Sequence, residues 1–241
     1  MIVKDPRFIT PAWNTIIWRY MTLEKFLDIM LGDHIYFTNT SNMTDKNECE
    51  IPKRNQKQFF IQNDEEAIIQ WCDFHNRKKS SFINCWIMNR FESYAQWKIY
   101  LGGAKNGVAI KTNIKNLITA VNKTRIQSEE KIFAGKVKYS DYIKADICIE
   151  ELITTKNHFY AYENEFRLII LREPEFEQDL NENKLKTVNG IYVNVDPLVL
   201  IDEIYVSPFG GSYFRKILES TIKEISPKLT SRIKKSEIKD S

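Results

Sequence analysis

The stretch that decides the fold covers residues 15–32. It reads Thr15-Ile-Ile-Trp-Arg-Tyr-Met21, followed by Thr22-Leu-Glu-Lys-Phe-Leu-Asp-Ile-Met-Leu-Gly32. The first part is β-branched and aromatic, which predicts a buried strand. The second part has apolar residues at helical spacing, with Thr22 as the N-cap and Gly32 at the end, which predicts an amphipathic helix.

The rest of the chain mixes strands and helices without a regular alternation. Further strands are predicted over residues 35–38, 81–88, 107–112, 136–139, 166–171, 191–195 and 201–206. Further helices are predicted over residues 65–74, from the Ser93 capping box to Leu101, over residues 114–121 and 146–155, and after Ser212. No glycine-rich phosphate loop follows a strand. The pattern therefore predicts an α+β fold with a split or mixed sheet, and it argues against Rossmann and P-loop folds.

The length and the charge favour a single domain. The chain has 241 residues, and we find no internal repeat or low-complexity linker. We expect one domain over residues 1–228 and a basic, flexible tail over residues 229–241, which holds much of the excess charge. The net charge of +3 permits contact with nucleic acid or with an acidic partner but does not require it.

Several classes of protein lack support in this sequence. The four cysteines are scattered without a CxxC pair, so we expect neither a zinc site nor a disulfide framework. The three histidines are isolated, and we expect no metal. The N-terminus does not resemble a secretory signal, and no apolar run is long enough to span a membrane, so we expect a cytoplasmic protein without a membrane partner.

The strongest chemical signal is Tyr160-Ala-Tyr162-Glu163-Asn164-Glu165-Phe166-Arg167. On an extended strand the two glutamates and Arg167 would share one face, because side chains two positions apart point the same way. Neighbouring carboxylates repel unless a cation compensates them, and Arg167 or a cationic transition state could do so. The alternative is a solvated strand face held by a Glu–Arg ion pair.

Two further features are candidates for ligand binding. Arg19 lies inside an apolar strand, where its guanidinium either binds a diphosphate or pairs with a carboxylate of a neighbouring strand. Tyr94, Trp97 and Tyr100 lie near one helix face. Such a stripe belongs by default to the core, although an exposed part of it could stack on an aromatic ring of a ligand.

A succession of short motifs resembles a bacterial family catalogued as a domain of unknown function. The resemblance covers residues 16–206 and rests on motifs that occur in the order of that family: Trp18-Arg19-Tyr20, Asn42 with Asp45 and Glu48, Cys85-Trp86, Trp97 with Tyr100, Gly107-Val108, Lys138-Tyr139, and Tyr162-Glu163-Asn164-Glu165-Phe166-Arg167.

The sequence also resembles ADP-ribosyltransferases, which share an Arg or His on the first strand and a catalytic Glu in a late Glu-x-Glu pair. Arg19 matches the first element, and Glu163-Asn164-Glu165 matches the last. The middle Ser/Thr motif departs from the pattern: Ser80-Ser81 stands near its place, with Tyr94 as the alternative.

The second resemblance implies a catalytic-type domain with a split sheet, NAD as the substrate, and no metal. It implies that Glu165 stabilises an oxocarbenium-like state and that Glu163 activates the acceptor. It also implies that NAD contacts a set of residues comprising Arg19, Tyr20, Ser81, Tyr94, Trp97 and Arg167.

The activity implied is that of an NAD-dependent ADP-ribosyltransferase, as a toxin or antiphage effector that modifies nucleic acid or protein. A neutralising antitoxin protein would be a further partner. With water as the acceptor, the same site would make the protein an NAD glycohydrolase. The competing hypothesis is a non-catalytic nucleotide- or RNA-binding module in which the Glu–Arg strand is structural.

Overall fold

The computed structural model describes residues 2, 3, 5–43, 45, 48–51, 56, 65–124, 130–140, 148–178 and 183–238. The helices in these ranges are α1 (Leu23–Gly32), α2 (Glu65–Lys79), α3 (Tyr94–Leu101), α4 (Ile114–Thr124), α5 (Ile149–Ile153), α6 (Pro197–Leu200) and α7 (Ser212–Ile225). Short 3₁₀ turns cover Thr40–Asn42, His158–Glu163 and Pro227–Arg232. None of these helices is both long and apolar enough to cross a membrane.

The strands confirm the α+β fold class: nine of the described strands form one mixed sheet, and the other four form two separate two-stranded sheets. The strands are β1 (Ile16–Thr22), β2 (His34–Asn39), β3 (Ser81–Met88), β4 (Gly107–Asn113), β5 (Ile132–Lys136), β6 (Lys138–Tyr139), β7 (Thr155–Lys156), β8 (Glu165–Leu171), β9 (Phe176–Gln178), β10 (Asn183–Leu185), β11 (Gly190–Asn194), β12 (Glu203–Val206) and β13 (Ile233–Lys235). The main sheet runs β11-β2-β3-β1-β4-β12-β13, and β8 joins β3 to β5. Only β12 and β13 pair in parallel within this sheet.

The strand β3 organises the sheet because one of its edges serves two different strands. Phe82 and Ile83 pair with β2, whereas Ile87 and Met88 pair with β1. Between them lies a gap of three residues, 84–86, that pair with neither strand. The opposite edge of β3 pairs with β8 along its length. The sheet is therefore split where β1 and β2 diverge.

Helices cover both faces of the sheet. On one face, α1, α4 and α7 pack on the largest apolar core, to which β8 contributes Phe166, Leu168 and Ile170. On the other face, α2 and α5 cover one apolar cluster, and α3 covers a second one around Trp97. Glu165 and Arg167 project to this second face, because they alternate with the core residues of β8.

Most predicted elements are present, with differences that have local causes. The residue that adopts the left-handed conformation after α1 is Asp33, and not Gly32. Helix α2 continues to Lys79, beyond the predicted end at residue 74. The strand predicted over 136–139 covers only the last residue of β5 and the whole of β6, with a break at residue 137, and the pairing of β5 with β8 was not predicted. Of the helix predicted over 146–155, only α5 is observed; residues 146 and 147 lie outside the described ranges.

The prediction of a flexible tail over residues 229–241 is wrong for residues 229–238. Leu229 is buried in the main core, and β13 adds a parallel strand beside β12 with Ile233 buried. Arg232 donates to the carbonyl of Leu198, 2.9 Å away. The basic composition of this segment predicts exposure, but its apolar residues Leu229 and Ile233 are buried. Residues 239–241 lie outside the described ranges.

Candidate functional site

The backbone at the start of β8 sets the positions of the two glutamates. The 3₁₀ turn His158–Glu163 ends at Asn164, which adopts the left-handed conformation with φ 43°. Asn164 tolerates this conformation better than most residues. Glu163 therefore belongs to the turn and not to an extended strand, and the predicted face shared by Glu163, Glu165 and Arg167 holds only for the last two. The turn nevertheless brings the carboxylates of Glu163 and Glu165 to one cation.

Arg167 forms the core of a buried ion network. Its Nε and Nη2 atoms both lie 2.8 Å from Glu165 Oε2, and its Nη2 also pairs with Glu48 Oε1. Its Nη1 donates to the carbonyl of Ile153 at 2.6 Å. All three nitrogens of the guanidinium are thus engaged. A fully buried arginine requires such partners, because an unpaired buried charge is very costly.

Lys156 forms the second centre of the network. Its Nζ lies 2.6 Å from Glu163 Oε2, 2.9 Å from Glu165 Oε1 and 3.4 Å from Glu48 Oε2. The strand β7 presents Lys156, and β7 pairs with β6 beside the start of β8. Both oxygens of Glu165 are consequently occupied, one by Lys156 and the other by Arg167.

The network is buried and carries more carboxylates than cations. Glu165 is 2% exposed and Arg167 is 0% exposed, so the alternative of a solvated strand face is wrong. Glu48, Glu163 and Lys156 are also buried. Three carboxylates face two cations, and this imbalance favours a proton on one carboxyl group.

That proton belongs on Glu163. Burial raises the pKa of Glu163 to about 7, and its hydrogen bond to Glu165 adds to the shift, against the opposing effect of Lys156. Burial also acts to raise the pKa of Glu165, but the charge of Arg167, the hydrogen bond from Glu163 and the charge of Lys156 outweigh it and hold that pKa below its ordinary value. Near neutral pH, Glu163 thus donates to Glu165 and is poised to exchange its proton.

This titration predicts a dependence of stability on pH. The pKa of Glu163 is about 7 in the folded protein and 4.5 ordinarily, so between these values the folded state binds more protons than the unfolded chain. The contribution of Glu163 to stability is complete below pH 4.5 and is lost as the pH rises through 7. We expect Glu163→Gln to remove this dependence. In the wild-type protein it changes the free energy of unfolding by at most about 1.4 kcal/mol per pH unit, which urea unfolding at several pH values measures.

The matched control for this measurement is Glu219→Gln, a glutamate in a surface pair with Arg215 on α7. This control should keep the wild-type profile. An identical pH profile for Glu163→Gln and wild type would contradict the raised pKa of Glu163.

A cleft of about 480 Å³ opens at the split of the sheet. Residues of β1, α1, β2, β3, α3 and β11 line it. Five aromatic side chains belong to this lining: Trp18, Tyr20, Tyr36, Tyr100 and Tyr192. Gly190 makes room for Tyr36, since a Cβ atom at this position would lie 2.2 Å from the tyrosine hydroxyl. The cleft thus offers several rings around a space of the size that small ligands occupy.

Arg19 is the principal cation of the cleft. Its Nη1 lies 3.4 Å from the carbonyl of Cys85, in the unpaired part of β3, and its guanidinium lies 5.7 Å from the centre of the Trp86 ring. Among the described residues no carboxylate forms an ion pair with Arg19, so the predicted alternative of a neighbouring carboxylate is not observed. Burial lowers the pKa of Arg19 below its ordinary value. Arg167 is fully buried and paired with two glutamates, whereas Arg19 is half-buried and pairs with no carboxylate of the described residues.

The cleft and the ion network are neighbours separated by two side chains. Cys85 lines the cleft and is the cross-strand partner of Arg167. Tyr100 lines the cleft as well, and its pKa is raised by burial and by the charges of Glu165 and Glu163. Burial raises the pKa of the Cys85 thiol far above its ordinary value, which makes Cys85 a poor nucleophile. Glu165 itself does not line the cleft.

The structure brings some of the predicted ligand-binding residues to the cleft and leaves others elsewhere. Arg19 and Tyr20 line it. Ser81 is buried and donates to the carbonyl of Arg77, Trp97 is core, and Tyr94 contacts Phe209 on the far flank of α3. Arg167 is enclosed in the ion network.

Two members of the network, Lys156 and Glu48, were absent from the predicted site. Glu48 entered only as part of a resemblance, and Lys156 gave no signal. A lysine seven residues before Glu163, in a segment of turns, has no pattern that distinguishes it from a surface lysine.

No protein-family model, no curated protein and no solved structure matches this chain.

Proposed function

We propose that the protein is an NAD-dependent ADP-ribosyltransferase that binds NAD in the cleft of the split sheet. The observation that carries the proposal is Arg19, a half-buried cation in an aromatic cleft whose charge no described carboxylate neutralises. A guanidinium in such a place is stabilised by an anionic ligand, and its planar fork suits a diphosphate. Lys25 and Asp28 of α1 also line the cleft, and their opposite charges leave Arg19 as the excess positive charge of the lining.

The aromatic lining supports a ligand that carries rings as well as phosphate. Tyr36 and Tyr192 meet edge to face on one side, with ring centres 5.2 Å apart. Tyr20 and Tyr100 stack on the other side at 6.5 Å. Stacked and edge-on rings of this kind favour flat aromatic groups. NAD supplies two such groups joined through a diphosphate, and the resemblance of Arg19 and Glu163-Asn164-Glu165 to the ADP-ribosyltransferase pattern favours NAD over other nucleotides.

The raised pKa of Glu163 supports a division of labour in which Glu163 handles the proton, although neither Glu163 nor Glu165 lines the cleft. The reaction breaks the bond between the ribose anomeric carbon and the nicotinamide nitrogen, and a nucleophile forms the new bond to that carbon while neutral nicotinamide departs. The nucleophile must lose a proton, and deprotonated Glu163, with its pKa of about 7, can accept it. Glu165, with both oxygens engaged, acts as a positioning residue that holds Glu163 and Lys156.

A second candidate function is a non-catalytic nucleotide-binding module. The occupied carboxylate of Glu165 and its absence from the lining of the cleft favour this alternative. Both hypotheses require a nucleotide in the cleft and differ in whether nicotinamide is released.

The test measures binding and turnover of NAD together. We expect wild-type protein to bind NAD in isothermal titration calorimetry and to release nicotinamide. Arg19→Ala should weaken binding by about 10- to 100-fold, because a charge-assisted hydrogen bond contributes about 1.5–3 kcal/mol. Arg215→Ala is the matched control, since Arg215 lies in a surface pair with Glu219 on α7, and it should bind NAD as wild type does.

The outcomes separate the hypotheses. Binding of NAD without release of nicotinamide would favour the nucleotide-binding module. Equal affinity of Arg19→Ala and wild type would show that Arg19 does not hold the ligand. No binding of NAD, ADP or ATP by the wild-type protein would contradict both hypotheses.

A further inference from the structure

A shallow groove of about 570 Å³ lies at the end of the sheet where β1 and β8 begin and β3 ends. Its lining includes the backbone before β1 and a set of polar and basic side chains: Asn14, Thr15, Asn89, Arg90, Lys136 and Asn164. Arg90 and Lys136 are exposed, and neither forms an ion pair with a carboxylate in the described part of the chain. The groove therefore presents two cations that no carboxylate among the described residues neutralises.

Exposed aromatic rings belong to the turn that leads directly into Asn164 of this groove. The 3₁₀ turn His158–Glu163 carries Phe159, which is 73% exposed, and Tyr162, which is 56% exposed. Asn164 follows directly and connects the turn to the groove: its Nδ2 donates to the carbonyl of Met88 at 2.6 Å, and its carbonyl accepts from the Met88 amide at 2.9 Å. Large exposed rings on one short turn are unusual in a protein surface without a partner.

We propose that single-stranded nucleic acid binds across this surface. The phosphates would lie in the groove against Arg90 and Lys136, and unpaired bases would stack on Phe159 and Tyr162. A positively charged groove combined with aromatic platforms is the arrangement that binds single strands without dependence on sequence. Paired bases in a duplex are already stacked on one another, so their faces are not available to these rings.

The position of this surface assigns a role to the bound nucleic-acid strand. Glu163 ends the aromatic turn, and its carboxylate belongs to the ion network next to the cleft. A strand stacked on Phe159 and Tyr162 would place its hydroxyl or base nitrogen atoms near Glu163. We infer that nucleic acid is the acceptor of ADP-ribose; this role rests on the proposed reaction with NAD, whereas binding of the strand does not.

The experiment measures binding of a fluorescein-labelled oligothymidylate of about 20 nucleotides by fluorescence anisotropy, without NAD. We expect Arg90→Glu combined with Lys136→Glu to weaken binding by about tenfold or more and to flatten the salt dependence by about 0.7 in logarithmic slope for each lost phosphate contact. Phe159→Ala combined with Tyr162→Ala should weaken binding by at least about fivefold with an unchanged salt slope.

Helix α7 on the opposite face provides the matched control. Tyr213→Ala combined with Lys216→Glu and Lys223→Glu removes an exposed ring and reverses two exposed charges, and this variant should bind the oligonucleotide as wild type does. All of these positions are exposed, and thermal unfolding verifies that each variant is folded.

Three results would overturn the proposal: no binding of the oligonucleotide by wild type at low salt, equal loss of affinity in the α7 control, or equal binding of a polyglutamate peptide, which would indicate an acidic protein partner. We expect Arg19→Ala to bind the oligonucleotide with the wild-type affinity. Oligonucleotide binding by a wild-type protein that does not turn over NAD would therefore count against the NAD reaction alone, and NAD turnover without oligonucleotide binding would count against the nucleic-acid surface alone.

Discussion

Arg167→Met is expected to lower the free energy of unfolding by about 3–5 kcal/mol, because it removes one cation from a buried network and leaves carboxylates without compensation. Arg167 is 0% exposed and contacts Glu165, Glu48 and the carbonyl of Ile153. Methionine fills a similar volume, so the cost reflects charge more than packing. Urea unfolding with an unchanged denaturant slope would measure it.

Arg215→Met is the matched control for this prediction. Its guanidinium pairs with Glu219 one helical turn away on the surface of α7. Such exposed pairs contribute about 0–1 kcal/mol. A loss of less than about 1 kcal/mol for Arg167→Met would mean that the network does not hold buried charges of the kind described here.

Glu163→Gln is expected to reduce nicotinamide release by about 100-fold or more, because the variant has no group that can accept the proton of the nucleophile. The side chain keeps its size and its hydrogen bond to Lys156, so the affinity for NAD should change by less than about threefold. In the wild-type protein, release should rise with pH through about 7 as Glu163 deprotonates, and this dependence should disappear in the variant.

Glu219→Gln again serves as the control, and it should turn over NAD at the wild-type rate. Wild-type turnover in Glu163→Gln would remove Glu163 from the chemistry. A parallel loss of turnover, NAD affinity and stability would make it a structural member of the network.

Elements with local signals were predicted well from the sequence. The strand β3 has the predicted bounds, because its β-branched and aromatic run is uninterrupted. Ser93 caps α3 by accepting from the Gln96 amide, and Gly102 ends the helix in the left-handed conformation. The reciprocal half of the capping box is missing, since the Ser93 amide donates to the Tyr20 hydroxyl. Even in this helix cap, the distant Tyr20 replaces the side chain of Gln96 as the acceptor of the Ser93 amide.

The site was predicted only in part. The pattern Glu163-Asn164-Glu165-Phe166-Arg167 marked the right segment, because charges flanking apolar residues stand out in a strand. The predicted geometry failed at Asn164, whose left-handed backbone places Glu163 in a turn. Lys156 and Glu48 could not be assigned to the site from the sequence. The residues around a charged side chain look the same whether that side chain is exposed to water or paired with a residue far away in the chain.

The sequence by itself determined the α+β class, the strands and helices with periodic apolar residues, and the presence of an arginine in an apolar strand. These properties depend on neighbours along the chain. Only the tertiary structure decided that β1 and β2 share one edge of β3, that Arg19 lies in the resulting cleft, and that Arg167 is neutralised. These properties depend on which strands pair and which charges meet, and residues far apart in the chain set both.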